Sequence, residues 1–275
     1  MIEILHYSFM QRALVAAILV GILCSVIGVY VVLKRLSFIG VGVSHSAFGG
    51  VALGFLLGLN PIAMAIPFCL AVALGIGFTS KKGRVSEDAA IGILFIVAMA
   101  LGVIFVGLAP GYNVDLFGYL FGSILAVSAA DLWTIAILGL LVIGIVILLY
   151  KELLFLSFDE EMAKVSGLPV EKLYYLLLCL LAVTVVISIR IVGIILVSAL
   201  LILPAATAFQ LTRNFRFMML LSACFGVLSG IAGLLLSYWF DLPSGATIIL
   251  TASLVFILSL LLSARRRRTL RIEGA

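Results

Sequence analysis

Residues 37–60 read SFIGVGVSHSAFGGVALGFLLGLN. The stretch is apolar, uncharged and long enough to cross a bilayer as a helix. Gly42, Ser46, Gly50, Gly54 and Gly58 recur every four residues, so one helical face is nearly bare of side chains. Such a face lets a neighbouring helix approach to backbone contact. Gly42, Gly50, Gly54 and Gly58 are its expected packing positions. His45 stands one position from that face. An imidazole is costly in hydrocarbon, so its expected place is inside a helix bundle or beside a wet passage.

The rest of the chain has the same character. Its 275 residues are 65% apolar and 11% charged, with a mean hydropathy of +1.40. A soluble domain of this size cannot hide so much apolar surface. Long apolar runs in lipid must satisfy their own backbone hydrogen bonds, which points to helices. Apolar stretches fall at 13–33, 37–59, 61–80, 89–109, 132–150, 173–189, 191–211, 217–240 and 243–264. The expected fold is therefore all-α and polytopic, a single membrane domain over 1–275 with about nine crossings.

Charge placement tests that expectation. With the N-terminus outside and every stretch crossing, only Arg12 and Arg190 of the 17 Lys and Arg fall outside. This is the pattern of the positive-inside rule, and it places the C-terminus in the cytoplasm. Residues 116–130 are apolar but short. A crossing there would turn every later basic loop outward, so a re-entrant or interfacial helix is expected instead. The arginines at 265–268, with Arg271, form a basic tail of stop-transfer type. No aromatic residue interleaves with them, and no nucleic-acid partner is expected.

The longest inner loop is 150–172. Ser157 followed by Glu160 fits a capping box, and Phe158, Met162 and Val165 put an apolar edge on the short helix that follows. Gly167 and Pro169 supply its stop. Such a helix either rests on the membrane or bundle, or docks a soluble partner. Pro204 is expected to kink the stretch 191–211, with Thr207 helping to satisfy the carbonyl it frees.

Enzyme chemistry finds no support. There is no GxxxxGK[ST], HExxH, GxSxG or dinucleotide fingerprint. His6 and His45 are the only histidines, too few for a three-histidine zinc centre. The four cysteines lie inside apolar stretches without CxxC spacing, as packed side chains. Asp115, Asp131 and Asp241 are expected on the outer side. Helix capping and a place on a cation path both fit them.

Six strings, in order along the chain, carry a resemblance. They are 31–54 (VVLKRLSFIGVGVSHSAFGGVALG), 86–102 (SEDAAIGILFIVAMALG), 116–128 (LFGYLFGSILAVS), 158–170 (FDEEMAKVSGLPV), 203–208 (LPAATA) and 239–249 (WFDLPSGATII). With them the sequence resembles the membrane permease subunit of the bacterial zinc, manganese and iron ABC importers. The resemblance implies a homodimer in the bacterial cytoplasmic membrane, with the passage on its two-fold axis. It implies a separate ATP-binding ABC subunit inside and an extracytoplasmic metal-binding protein outside. It makes 158–167 the cytoplasmic coupling helix, with Phe158, Asp159, Met162, Val165 and Gly167 facing the ATPase.

No permanent cofactor is implied, only a transported divalent metal ion. The substrate path would run by His45, Ser44, Ser46, Asp115 and Asp241, with His45 the one metal contact. Many such permeases carry an aspartate four residues before the histidine. Here that position is Val41, so the carboxylate–imidazole pair one turn apart is missing. A permease for a chelated metal or siderophore is the alternative. A gradient-driven carrier is less favoured, for want of midplane charges.

Overall fold

The computed structural model describes residues 7–83, 85–109, 122 and 124–262. Ten helices lie among them: α1 (Ser8–Leu33), α2 (Ser37–Leu56), α3 (Pro61–Lys82), α4 (Glu87–Leu108), α5 (Ala129–Leu148), α6 (Tyr150–Phe158), α7 (Glu160–Val165), α8 (Val170–Leu211), α9 (Phe215–Phe240) and α10 (Ser244–Leu262). Eight of them are long and apolar enough to cross a membrane. The two short ones, α6 and α7, fall in the loop 150–172.

Local sequence sets many of the helix starts. Asn60 accepts hydrogen bonds from the amides of Ile62 and Ala63 at 3.0 and 3.3 Å, with Pro61 in the first helical position. Ser86 caps α4 through the Ala89 amide. Ser128 and Asp131 form a reciprocal capping box at the start of α5. Asn214 caps α9. These side chains satisfy amides that no preceding turn can reach.

The core is built on α1 and α8. Along α1, Gly21 meets the backbone of Gly226, and Ala17 sits against Gly230. The Gly226-x-x-x-Gly230 pair is thus the α1–α9 seam. Gly28 leaves room for the Leu201 carbonyl of α8. On α2, a Cβ at Gly42 would stand 2.6 Å from Ile91 of α4, and one at Gly50 would stand 2.7 Å from the Ala65 backbone of α3. At Gly54 the obstacle is Pro61, also at 2.6 Å. The bare face of α2 is therefore filled by α3 and α4.

Gly58 departs from the expected packing role. It lies beyond the end of α2 with φ +64°, and no atom would lie within 4 Å of an added Cβ. The Leu59 amide turns back to the Gly54 carbonyl at 2.9 Å. The left-handed conformation explains this glycine, which ends the helix.

The stretches 173–189 and 191–211 both lie in α8, 42 residues in two helical runs that meet at Gly193. Held straight, it would run about 63 Å, twice a bilayer core of about 30 Å. It does not run straight. Gly193 breaks it with φ 80° and ψ 168°, a conformation nearly confined to glycine. Cys24 of α1 meets Ser188 before the break, while Gly28 meets Leu201 and Ala205 after it. A continuous helix would part Ser188 from Leu201 by about 20 Å, yet their α1 partners are about 6 Å apart. The second half of α8 therefore folds back alongside the first. Both sequence stretches are accounted for.

Pro204 is not where α8 breaks. The backbone there stays helical, and Thr207 donates to the Leu203 carbonyl at 2.7 Å, not to that of Leu200, which Pro204 deprives of a donor. The expected re-entrant segment lies mostly outside the described residues. Its described part is a 3-10 turn, Ile124–Ala126, and the Gly122 backbone lies against Gly193. Residues 129 and 130 already belong to α5.

Candidate functional site

His45 occupies an open stripe of α2. Phe38, Val41, His45, Phe48 and Phe55 follow at spacings of three, four, three and seven, so they share one side of the helix. Phe38 is exposed and the other four are half-buried. The glycine face, turned the other way, is buried against α3 and α4.

The imidazole is held from its own helix. Its Nδ1 lies 2.9 Å from the Val41 carbonyl oxygen. A carbonyl only accepts, so Nδ1 carries a proton, and in the neutral ring the lone pair sits on Nε2. Orientation of one ring nitrogen by a backbone carbonyl is a common way to prepare the other as a ligand. The ring edge also meets Phe95 of α4, with centroids 5.5 Å apart at 87°. Position 41 thus contributes through its backbone.

The flanking serines divide. Ser44 is buried, donates to the Val41 carbonyl at 3.0 Å and pairs with Ser198 of α8, also at 3.0 Å. Its oxygen is 3.5 Å from His45 Nδ1, at the limit of contact. Ser46 is buried on the glycine side and donates to the Gly42 carbonyl at 2.7 Å. Ser44 belongs to the His45 neighbourhood; Ser46 faces away from it. Ser198 was not visible as a partner from sequence, because 154 residues separate it from Ser44.

The acidic residues do not converge on His45. Asp115 lies outside the described residues. Asp131 is held by the Ser128 hydroxyl at 2.6 Å and by Arg190 Nε at 2.6 Å. Capping and an ion pair to α8 account for it. Asp241 ends α9 with φ 53°, and it is exposed beside a cavity of about 530 Å³. Val192, Ile195, Leu196, Leu242, Pro243 and Ile249 help line that cavity, and His45 is not part of it. Among the described residues no three His, Cys, Asp or Glu gather as a metal site.

At the end of the bundle that carries Lys34 and Lys81, α7 is capped by Asp159, whose carboxylate accepts from the Met162 amide at 2.9 Å. This corrects the expected Ser157–Glu160 box. The Ser157 hydroxyl instead donates back to the Leu153 carbonyl within α6. Gly167, with φ 79°, does stop the helix, and the Leu168 amide returns to Ala163 at 3.1 Å. Phe158, Met162 and Val165 are exposed, so most of this apolar edge is open to a partner. Phe158 also stacks edge-on with Phe215, which meets Tyr30 and Tyr150.

Glu160 binds elsewhere than expected. Its two oxygens take Lys34 at 2.9 Å and Lys81 at 3.2 Å, with Lys164 at 3.9 Å. Burial alone would raise its pKa, but the hydrogen bonds and charges of Lys34 and Lys81 hold it below the ordinary 4.5. Lys81 lies 4.4 Å over the Tyr174 ring, whose hydroxyl donates to Glu87 at 2.8 Å. Partners 126 and 79 residues away leave no local signal in the sequence.

Comparison with known proteins places this arrangement. The ABC 3 transport family matches residues 6–263. The manganese transport system membrane protein MntC of Halalkalibacterium halodurans is 44% identical over 264 residues, 96% of this chain and 90% of that protein. The manganese import system permease protein ScaB of Streptococcus gordonii is 37% identical, covering 97% and 96%. The structure of PsaBC from Streptococcus pneumoniae in complex with Fab superposes with a TM-score of 0.86 at 38% identity, over 97% of this chain and 96% of that one. This chain belongs to the ABC 3 transport family, and it is the membrane permease subunit of an ABC transporter.

Proposed function

We propose that this permease imports a divalent transition metal, manganese before zinc or iron, across the bacterial cytoplasmic membrane. The observation that carries the reading is His45, half-buried on α2, with Nδ1 tied to the Val41 carbonyl and Nε2 given no hydrogen bond by the described residues. The relatives named for manganese transport support the choice of metal. So does the chemistry near His45. Imidazole, hydroxyl and carbonyl suit a hard to borderline cation, and no thiolate stands beside them to favour a softer one.

In this reading two copies face each other across α2 and enclose the passage. An extracytoplasmic binding protein delivers the ion, a separate ATP-binding subunit docks on the exposed edge of α7, and the basic end of the bundle lies in the cytoplasm. His45 contacts the ion in transit. A lone imidazole holds a cation loosely, and a passage must release what it binds.

The test is uptake of radioactive manganese by cells whose own manganese importers are deleted. The wild-type system restores uptake. His45→Ala lowers it by about tenfold to a hundredfold, the range seen when a metal-orienting group is lost, with membrane expression unchanged. Full uptake by His45→Ala would remove His45 from the path.

A further inference from the structure

Glu160 opens the short helix α7, yet both its strong partners belong to other elements. Lys34 caps the end of α1, and only residues 34–36 separate α1 from α2. Lys81 is in the last turn of α3. The two lysine side chains are 12% and 23% exposed, so the carboxylate bridges side chains that are largely withdrawn from water. Exposed ion pairs contribute little. This one is different in kind, because one carboxylate is shared by two sheltered lysines at hydrogen-bond distance. Tyr174 of α8 lies beneath both, 4.4 Å from Lys81 and 5.8 Å from Lys34, and its hydroxyl reaches Glu87 at the start of α4.

The mechanical consequence follows from α2. It runs unbroken from Ser37 to Leu56, without a proline, and carries His45 just over two turns in from its start. Force applied at the Lys34 corner therefore moves the His45 helix as a unit. Ser44 passes that movement to α8 through Ser198. We propose that Glu160 is the positioning residue that links α7 to the His45 helix, so that displacement of α7 by the ATP-binding subunit tilts α2. This rests on the reading of α7 as the ATPase docking helix.

The experiment uses the whole transporter, permease with its ATP-binding subunit and binding protein, reconstituted in liposomes. A cysteine reporter, Phe38→Cys, is placed on the exposed start of α2 in a background with Cys179→Ser and Cys224→Ser. Its alkylation rate is read with and without ATP, a measure independent of the cargo. Manganese uptake by the unmodified complex tests the metal reading separately, and its failure leaves the alkylation result standing.

The expected result is an ATP-dependent change in alkylation that Glu160→Gln reduces by about tenfold, as the loss of hydrogen bonds to a charged group implies. The ATP-binding subunit still co-purifies, and Glu160→Asp, which keeps the carboxylate, recovers most of the change. An undiminished ATP response in Glu160→Gln would overturn the proposal. So would loss of co-purification, which would make Glu160 a docking residue, or an Asp variant no better than Gln.

Discussion

Single residues in this chain separate into those whose side chain is required and those whose lack of one is. Gly50 belongs to the second kind. A methyl there would press on the Ala65 backbone, which cannot swing aside as a flexible side-chain tip does. Gly50→Ala should therefore destabilise by about 1–3 kcal/mol. Gly144, exposed on α5 with open space around it, is the control. Gly144→Ala should leave the melting temperature in detergent equal or slightly higher, because alanine favours helix. Glu160 belongs to the first kind. Its folded pKa lies below the ordinary 4.5, so its contribution is complete above 4.5 and is lost as pH falls through the lower folded value. The melting-temperature gap between wild type and Glu160→Gln should hold at neutral pH and close below about pH 4.5. The close-packed face at 42–54 and the Gly167 stop were legible from spacing alone. The Val41 carbonyl behind His45 was not, because sequence patterns describe side chains and this contact is backbone.

At the level of elements, apolar length found the long helices, and caps such as Ser86 and Asn214 agree with where they begin. What length does not show is where a helix reverses. A proline looks like a break in any sequence, so Pro204 drew the expectation. A transmembrane helix tolerates proline when its neighbours hold the backbone in place. A glycine within an apolar run carries no such mark, and Gly193 resembles the many glycines that only pack. Its conformation sets it apart, since φ 80° with ψ 168° strains any residue with a Cβ. Gly122 is packed on it as well, since a Cβ added at Gly122 would press on the Gly193 backbone. Gly193→Ala should cost about 1–3 kcal/mol or more. It should also disturb the Arg190–Asp131 pair three residues before the turn. Reduced yield of folded protein, with a lower melting temperature than Gly50→Ala, checks this. Equal stability would mean the reversal does not need glycine.

For the molecule as a whole, the reversal decides topology. Lys34, Lys81, Glu160 and Tyr174 come together at one end of the bundle, and Arg190 meets Asp131 well away from them. A bilayer placed between those ends has the basic loops on one side, as the positive-inside rule asks. Parity then makes the fold of α8 testable without a structure. Three crossings precede the loop around residue 84. If α8 crosses twice, six more crossings follow and the C-terminus returns to the side of that loop. If α8 crosses once, five follow and the two points lie on opposite sides. A reporter active only in the cytoplasm, inserted in the loop at 84 or fused to the C-terminus, should be active in both positions. An active loop fusion with an inactive C-terminal fusion would mean a single crossing. That outcome would also separate Lys34 from the loop between α8 and α9, although Phe215, just past that loop, stacks on Tyr30 of α1 with centroids 5.6 Å apart. The aromatic contact and the folded-back α8 therefore stand or fall together in this one measurement.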